Sequence, residues 1–434
     1  MRKPPNRSVR PSPRPREEPA VREPGYDAFA IASPGFAPLL AAELSALGVP
    51  VAEVEAAGVS FRATPEQLIL VNLWSRLASR VIVRLAHFTA RDFATLEKQA
   101  ARVPWTSVVA PGSTVRFRVT CRKSKLYHSD AVAERVARGV SGAVKSATVI
   151  VSGRGVEPDE PTGDASVLDE QDDRPLERAV VAPAVVAPTD QLIIVRFEHD
   201  ECTISADTSG DLLYRRGWRQ AIAKAPLRET LAAAMLAACE WDGTSALVDP
   251  FCGSGTIGIE AALRLRNIAP GQHRTFACER WPAMSPAMVR AQRDAAAALA
   301  RPSTGVPIVL RDRDAGACAA ALANAQRAGV ADDVEITQQP LSDTDLRTIG
   351  TGGLVLTNPP YGFRVSEGHD LRALFARLGD IIREGGPQWQ LAALVPDRRL
   401  LQPTKLAFAS LLRTSNGGIA VSVERSKAPG YARK

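Results

Sequence analysis

The stretch that most restricts the fold is "SALVDPFCGSGTIGIEAALRL" (245–265), an apolar strand over Ala246 to Val248, an acid at its end, a glycine-rich turn and a helix. Glycine takes positive φ at no steric cost, so such a turn can swing the chain from strand to helix within a few residues. A strand that is apolar throughout must be buried on both faces. From about Leu212 onward apolar strands of this kind alternate with long helical patterns, as in "PIVLRDRDAGACAAALANAQRAGV" (307–330) and "GLVLTNPPYG" (353–362). That alternation predicts a mostly parallel sheet with helices on both faces.

The front half has a different rhythm. From Asp27 to about Ala86 short strands alternate with helices, the second helix opened by Pro65, which suggests a small α+β unit. A second unit follows in "GSTVRFRVTCRKSKLYHSDAVAERVARGVSGAV", a strand, a basic turn and a helix capped by Ser129 or Asp130. It resumes at "QLIIVRFEHDECTISADTSG", two strands joined by the polar turn "EHDE".

Two stretches read as disordered. Residues 1–25 are dense in Pro and Arg without an apolar run, a solvated basic tail rather than a signal peptide. Residues 154–190 interrupt the second α+β unit and hold ten acids against three arginines. The chain of 434 residues carries +7, so the rest of it stands at about +14, a balance that suits a polyanionic partner. No run is long and apolar enough for a membrane span. The six cysteines form no C-x-x-C pair and the five histidines show no ligand spacing, which predicts a reduced, cytoplasmic, metal-free protein, expected as a monomer.

Gly253, Gly255 and Gly258 formally satisfy G-x-G-x-x-G with Glu279 further on, so a dinucleotide fold and an NAD-dependent oxidoreductase are alternatives. Dinucleotide loops place glycine directly after the strand, whereas here Asp249-Pro250-Phe251-Cys252 intervenes. An acid followed by a glycine turn suits a ligand with an amine and a carboxylate but no phosphate. The helix N-terminus receives the carboxylate and Asp249 accepts from the ammonium. S-adenosylmethionine is such a ligand. Its ribose calls for a second acid at the next strand end, for which Asp312 is the choice and Glu279 the competitor; Asp314 also reads as a helix cap.

In Asn358-Pro359-Pro360-Tyr361-Gly362 two prolines end the sheet ladder and stiffen the turn. An exocyclic amine on a base is a poor nucleophile because its lone pair is delocalised. Asn358 Oδ1 and the Pro359 carbonyl could accept its two hydrogens and turn the lone pair toward a methyl donor. Tyr361 could stack on a base taken out of its helix, and Gly362 leaves room beside it.

"DPFCGSGTIGIEAA" with "TNPPYG" resembles a class I S-adenosylmethionine-dependent methyltransferase of the amino-methylating group. With "FAIASPGFAPLLAAELSALGV", "GVSFRAT", "LWSRLASRV", "DTSGDLLYRRGWRQAIAKAPLRETLAAAML" and "ALRLRNIAPGQHRTFACERWP", the chain over about 26–150 and 190–425 resembles the THUMP-containing RNA guanine methyltransferases. Those enzymes make N(2)-methylguanosine in 23S rRNA or tRNA, and the "RNIAPG" excursion is more similar to the 23S branch. The resemblance implies an α/β protein: a ferredoxin-like domain over 26–95, a THUMP domain over 96–210, and a Rossmann-like class I methyltransferase domain over 211–434. By position, Asp249, Pro250, Gly253, Gly255 and Thr256 would hold the methionine end of the cofactor and Asp312 the ribose. Pro226 and Leu227 would run over the cofactor, and Asn358, Pro359, Pro360 and Tyr361 would hold the base. After "VEIT" the family presents an acid or amide near the adenine, and here Gln339, Pro340, Ser342 and Asp343 stand there.

Structured RNA is the expected partner. Arg116, Arg118, Arg122, Lys123 and Lys125 cluster around a turn with Tyr127 and His128, suiting phosphate contacts beside a stacking ring. Arg215 and Arg216 in "YRRGWR" form a second basic stretch. DNA adenine and protein glutamine methyltransferases share Asn-Pro-Pro-Tyr but do not account for the front half. A non-catalytic RNA-binding or assembly factor would have no need of both intact motifs.

Overall fold

The structure, a computed structural model, describes residues 25–151, 190–220, 227–361 and 371–427. The basic tail up to Pro24, the acidic insert up to Thr189, Pro226 and Gly362 lie outside the described residues.

The front half is built on one eight-stranded sheet in the order β2-β3-β1-β4-β8-β7-β5-β6. Its elements are β1 (Tyr26–Ala32), α1 (Ala37–Ala46), β2 (Val51–Glu55), β3 (Gly58–Ala63), α2 (Pro65–Trp74), β4 (Ala78–Thr89), α3 (Phe93–Ala100), β5 (Thr114–Arg122), α4 (Ser129–Ala143), β6 (Thr148–Ile150), β7 (Asp190–Glu198) and β8 (Glu201–Asp207). The sequence pattern reads as two α+β units; β4 joins them. It is 12 residues long, and its first half pairs with β1 while its second half pairs antiparallel with β8.

Local chemistry sets the element ends. Pro65 follows Thr64, whose hydroxyl and backbone N–H form a reciprocal pair with Gln67 at the head of α2. In "EHDE", His199 and Asp200 both take positive φ (53° and 65°), the two-residue hairpin turn that matches strand twist. The cap of α4 differs from expectation. The chain turns at His128, so Ser129 is the first helical residue and makes no capping bond, while Asp130 lies in the first turn, where its charge favours the helix end.

The back half contains α5 (Glu229–Ala238), β9 (Ala246–Asp249), α6 (Thr256–Leu265), α7 (Pro286–Ala298), β10 (Ile308–Asp312), α8 (Ala315–Ala328), β11 (Glu335–Gln338), β12 (Gly353–Thr357), α9 (Leu371–Gly385), β13 (Trp389–Val395), β14 (Phe408–Asn416) and β15 (Ile419–Ser426). Their sheet runs β11-β10-β9-β12-β13-β15-β14, parallel from β11 to β13 and antiparallel at β15 and β14. The direction of strand succession reverses between β9 and β12. Ligands in such sheets bind at that reversal, beyond the carboxyl ends of the strands.

The halves share one apolar core. Gly271 donates to Leu73 O at 2.9 Å, and any side chain there would meet the Asn72 carbonyl and Phe276. Arg216, expected on an RNA-binding surface, is instead 2% exposed. It pairs with Glu260 of α6 (3.2 Å) and donates to the carbonyls of Leu213 and Arg76 (both 2.7 Å), so it ties the halves together and cannot reach a nucleic acid. No helix among the described residues is long and apolar enough to cross a membrane.

Candidate active site

β9 is paired on both edges, by β10 and β12, and all four of its residues are buried, so Asp249 is carried to the buried end of the strand, 2% exposed. Its Oδ1 accepts from Thr357 Oγ1 at the end of β12 (2.6 Å) and from the Phe251 amide (3.1 Å). Burial pushes the carboxyl up to about 7, against the pull of those two bonds and with a smaller push from Asp312. Asp249 faces no cation among the described residues, so the fold leaves it a partner to find.

The turn that follows is shaped by two glycines, Gly253 (φ 51°) and Gly255 (φ 84°). A Cβ on Gly255 would stand 3.0 Å from Ala321 Cβ of α8. Gly258 has the third role, since a Cβ there would come within 2.5 Å of Leu310 and lift α6 off β10. Pro250 lies inside the turn. Thr256, buried, begins α6, which has no side-chain cap because Gly255 precedes it.

Asp312, at the end of β10, accepts from the Gly253 amide (Oδ2, 3.0 Å) and from the Asp314 amide (Oδ1, 3.0 Å), which places it beside the turn. Glu279 is engaged elsewhere. It accepts from the Phe276 amide (3.2 Å) and pairs with Arg293, pinning the excursion before α7, whose Cys278 amide bonds to Thr208 O of the front half. Asp314 is a cap, accepting from the amides of Gly316 and Ala317. Leu227 is buried ahead of α5, its carbonyl accepting from Arg219 Nη1 at 2.7 Å.

Asn358 directly follows β12. Its Oδ1 is buried and has no hydrogen-bond partner among the described residues, an arrangement that costs stability unless a donor arrives. Pro359 is buried and Pro360 half-buried. Tyr361 packs half-buried on the core, and its hydroxyl accepts from Asn416 Nδ2 (3.0 Å). Sequence pattern alone assigns no role to Thr357 or Asn416. Thr357 could have been found from the position of a hydroxyl at the strand end, whereas Asn416 belongs to a hairpin whose approach no local pattern records.

The basic cluster forms one surface. Arg116, Arg118 and Arg122 alternate along β5 on one face, as period two requires. Arg116 pairs with Asp190, and Arg118 and Arg122 are half-buried. Lys123, Lys125, Tyr127 and His128 are exposed, the two rings 4.1 Å apart. Asp200 braces the turn by accepting from the Lys125 amide (2.7 Å). Arg215, exposed, lies in the linking segment. Among the described residues no group of three or more His, Cys, Asp or Glu could hold a metal.

An acid and glycine turn on one side of the strand-order reversal, with Asn-Pro-Pro-Tyr on the other, defines an S-adenosylmethionine-dependent methyltransferase. The chain superposes on the structure of SMU.472 complexed with SAH, the demethylated cofactor, with a TM-score of 0.77 at 26% identity, over 93% of this chain and 98% of that one. Residues 216–414 match the RMKL-like methyltransferase domain, and residues 27–82 match the RlmL ferredoxin-like domain. The "Ribosomal RNA large subunit methyltransferase K/L" of Syntrophotalea carbinolica is 34% identical over 90% of this chain and 52% of its own. A Synechocystis protein provisionally named RNA methyltransferase slr0064 is 29% identical over 90% of this chain and 94% of its own. The chain thus spans about half the length of the K/L relative.

The residues present fit the cofactor. A buried carboxyl with only neutral donors asks for the ammonium, and an uncapped helix N-terminus suits the carboxylate.

Proposed function

We propose that the protein methylates the exocyclic 2-amino group of a guanosine in large-subunit ribosomal RNA. The observation that carries this reading is the buried Asn358 Oδ1, without a hydrogen-bond partner among the described residues, at the strand end beside Asp249 and Thr357. An acceptor in that position is satisfied by a donor on the substrate, and an amino group has two hydrogens to give.

S-adenosylmethionine supplies an electrophilic methyl group on a sulfonium. Asp249 takes the ammonium, the turn at Pro250, Gly253, Gly255 and Thr256 takes the carboxylate end, Asp312 takes the ribose hydroxyls, and Leu227 covers the cofactor. Asn358 Oδ1 and the Pro359 carbonyl draw the amine hydrogens and localise its lone pair, Pro360 stiffens the loop, and Tyr361 stacks on the base. Neutral acceptors are enough because the leaving group departs readily, and the surplus proton passes to solvent. Arg116, Arg118, Arg122, Lys123, Lys125 and Tyr127 hold the RNA in what we read as a THUMP domain, through phosphate contacts and a stacking ring, and Arg215 adds a phosphate contact from the linking segment. The names of the K/L relatives support ribosomal RNA as the substrate.

The test is methyl incorporation from labelled cofactor into deproteinised 23S rRNA and total tRNA from cells lacking this gene, followed by nucleoside analysis. N(2)-methylguanosine in the rRNA is expected. The same nucleoside in tRNA alone would overturn the substrate, and labelled adenosine would overturn the chemistry.

A further inference from the structure

Asn416 is not among the residues assigned above to the cofactor or the base, yet it reaches the ring to which the proposed function assigns the base. It closes β14 immediately before Gly417 and Gly418, whose φ values of 57° and 78° make a tight two-residue hairpin turn, with Asn416 opposite Ile419. From that tip its side-chain amide donates to the Tyr361 hydroxyl at 3.0 Å. The tyrosine has one polar atom, at the far end of its ring. Pro359 and Pro360 restrain its backbone on one side, and Asn416 holds the opposite end.

The hairpin itself is held firmly. β15 pairs with β13 along Ala392↔Arg425 to Val395↔Ser422, and Arg425 donates to the Cys239 carbonyl at 2.7 Å. On the other side the turn after β1 presses on β14, since a Cβ on Gly35 would fall 2.2 Å from the Arg413 carbonyl. Asn416 therefore transmits the position of a fixed element to a residue in a loop.

We propose that Asn416 is a positioning residue for the methyl acceptor, fixing the axis of the Tyr361 ring so that a base stacked on it meets the methyl donor at one depth and angle. The inference rests on the reading of Tyr361 as the stacking residue. Loss of the bond leaves the aromatic face intact but lets the ring axis wander, so transfer slows while cofactor affinity stays.

Four full-length proteins test it: wild type, Asn416→Ala, Tyr361→Phe, and the double variant. Each single variant is expected to lower kcat by about 2- to 10-fold, the scale of one neutral hydrogen bond, with SAH affinity unchanged. The double variant should lose no more than either single one, because both remove the same bond. A purely structural role for Asn416 would lower thermal stability and make its effect on kcat multiply with that of Tyr361→Phe, which would overturn the proposal. So would full activity of Asn416→Ala. If wild type transfers methyl to no RNA, the proposed function fails and the positioning role falls with it. A cycle of thermal stabilities on the same four proteins then still reports whether the two side chains interact.

Discussion

At the scale of single residues, Asp249 carries the clearest prediction. A carboxyl raised in the fold contributes stability below its unfolded value of 3.8 and loses it as pH rises through about 7. At neutral pH the cofactor-free protein therefore carries a strained acid, and the ammonium of the cofactor favours its charged form. Binding should be linked to proton release, so SAH affinity should fall up to about tenfold per pH unit below about 7 and level off above it. Calorimetric titrations across that range check this. Asp249→Asn should bind weakly and without the pH dependence. Asp249 and Asn358 were legible in the sequence because each stands at the end of an apolar strand, where a polar group has a reason to be. The burial of Arg216 is not legible for a related reason: a run of basic residues does not record which of them turns inward to meet Glu260, 44 residues further on.

The elements explain why the turn is built of glycine. Gly255 combines a φ of 84° with an Ala321 Cβ that would lie 3.0 Å from its own. Gly255→Ala should destabilise the protein by about 1–2 kcal/mol from backbone conformation alone, and it should weaken SAH binding as the head of α6 shifts. Thermal unfolding with and without SAH separates the two effects. Strands and helices around this turn could be read from periodicity, since a central parallel strand is apolar throughout and its helices are amphipathic. The antiparallel return of β15 between β13 and β14 could not, because pairing order along a sheet edge leaves no local trace. For the same reason the sequence shows Tyr361 but not Asn416.

Across the whole molecule, a buried network of charges joins the two halves. Glu260 of α6 meets Arg216 at 3.2 Å and Arg76 at 3.7 Å, and Arg76 also donates to the Ile268 carbonyl at 2.7 Å. Nearby, Glu43 of α1 accepts from Ser75 and from the Arg76 amide. This network docks the front half onto the helix that follows the glycine turn. Glu260→Ala leaves two largely buried guanidiniums without their carboxylate and should cost about 3–5 kcal/mol, read from denaturant unfolding; an effect under about 1 kcal/mol would mean that apolar packing alone docks the halves. The two α+β units were legible, but their union through β4 was not, since a strand of 12 residues can serve one partner or two.

The most direct test of the account is Asn358→Ala, assayed side by side for SAH binding and for single-turnover methyl transfer to RNA. SAH affinity within about twofold of wild type and a transfer rate reduced by at least about a hundredfold are expected, because the proposed function has Asn358 act on the acceptor and not on the cofactor. Loss of SAH binding together with transfer, or transfer at the wild-type rate, would contradict it.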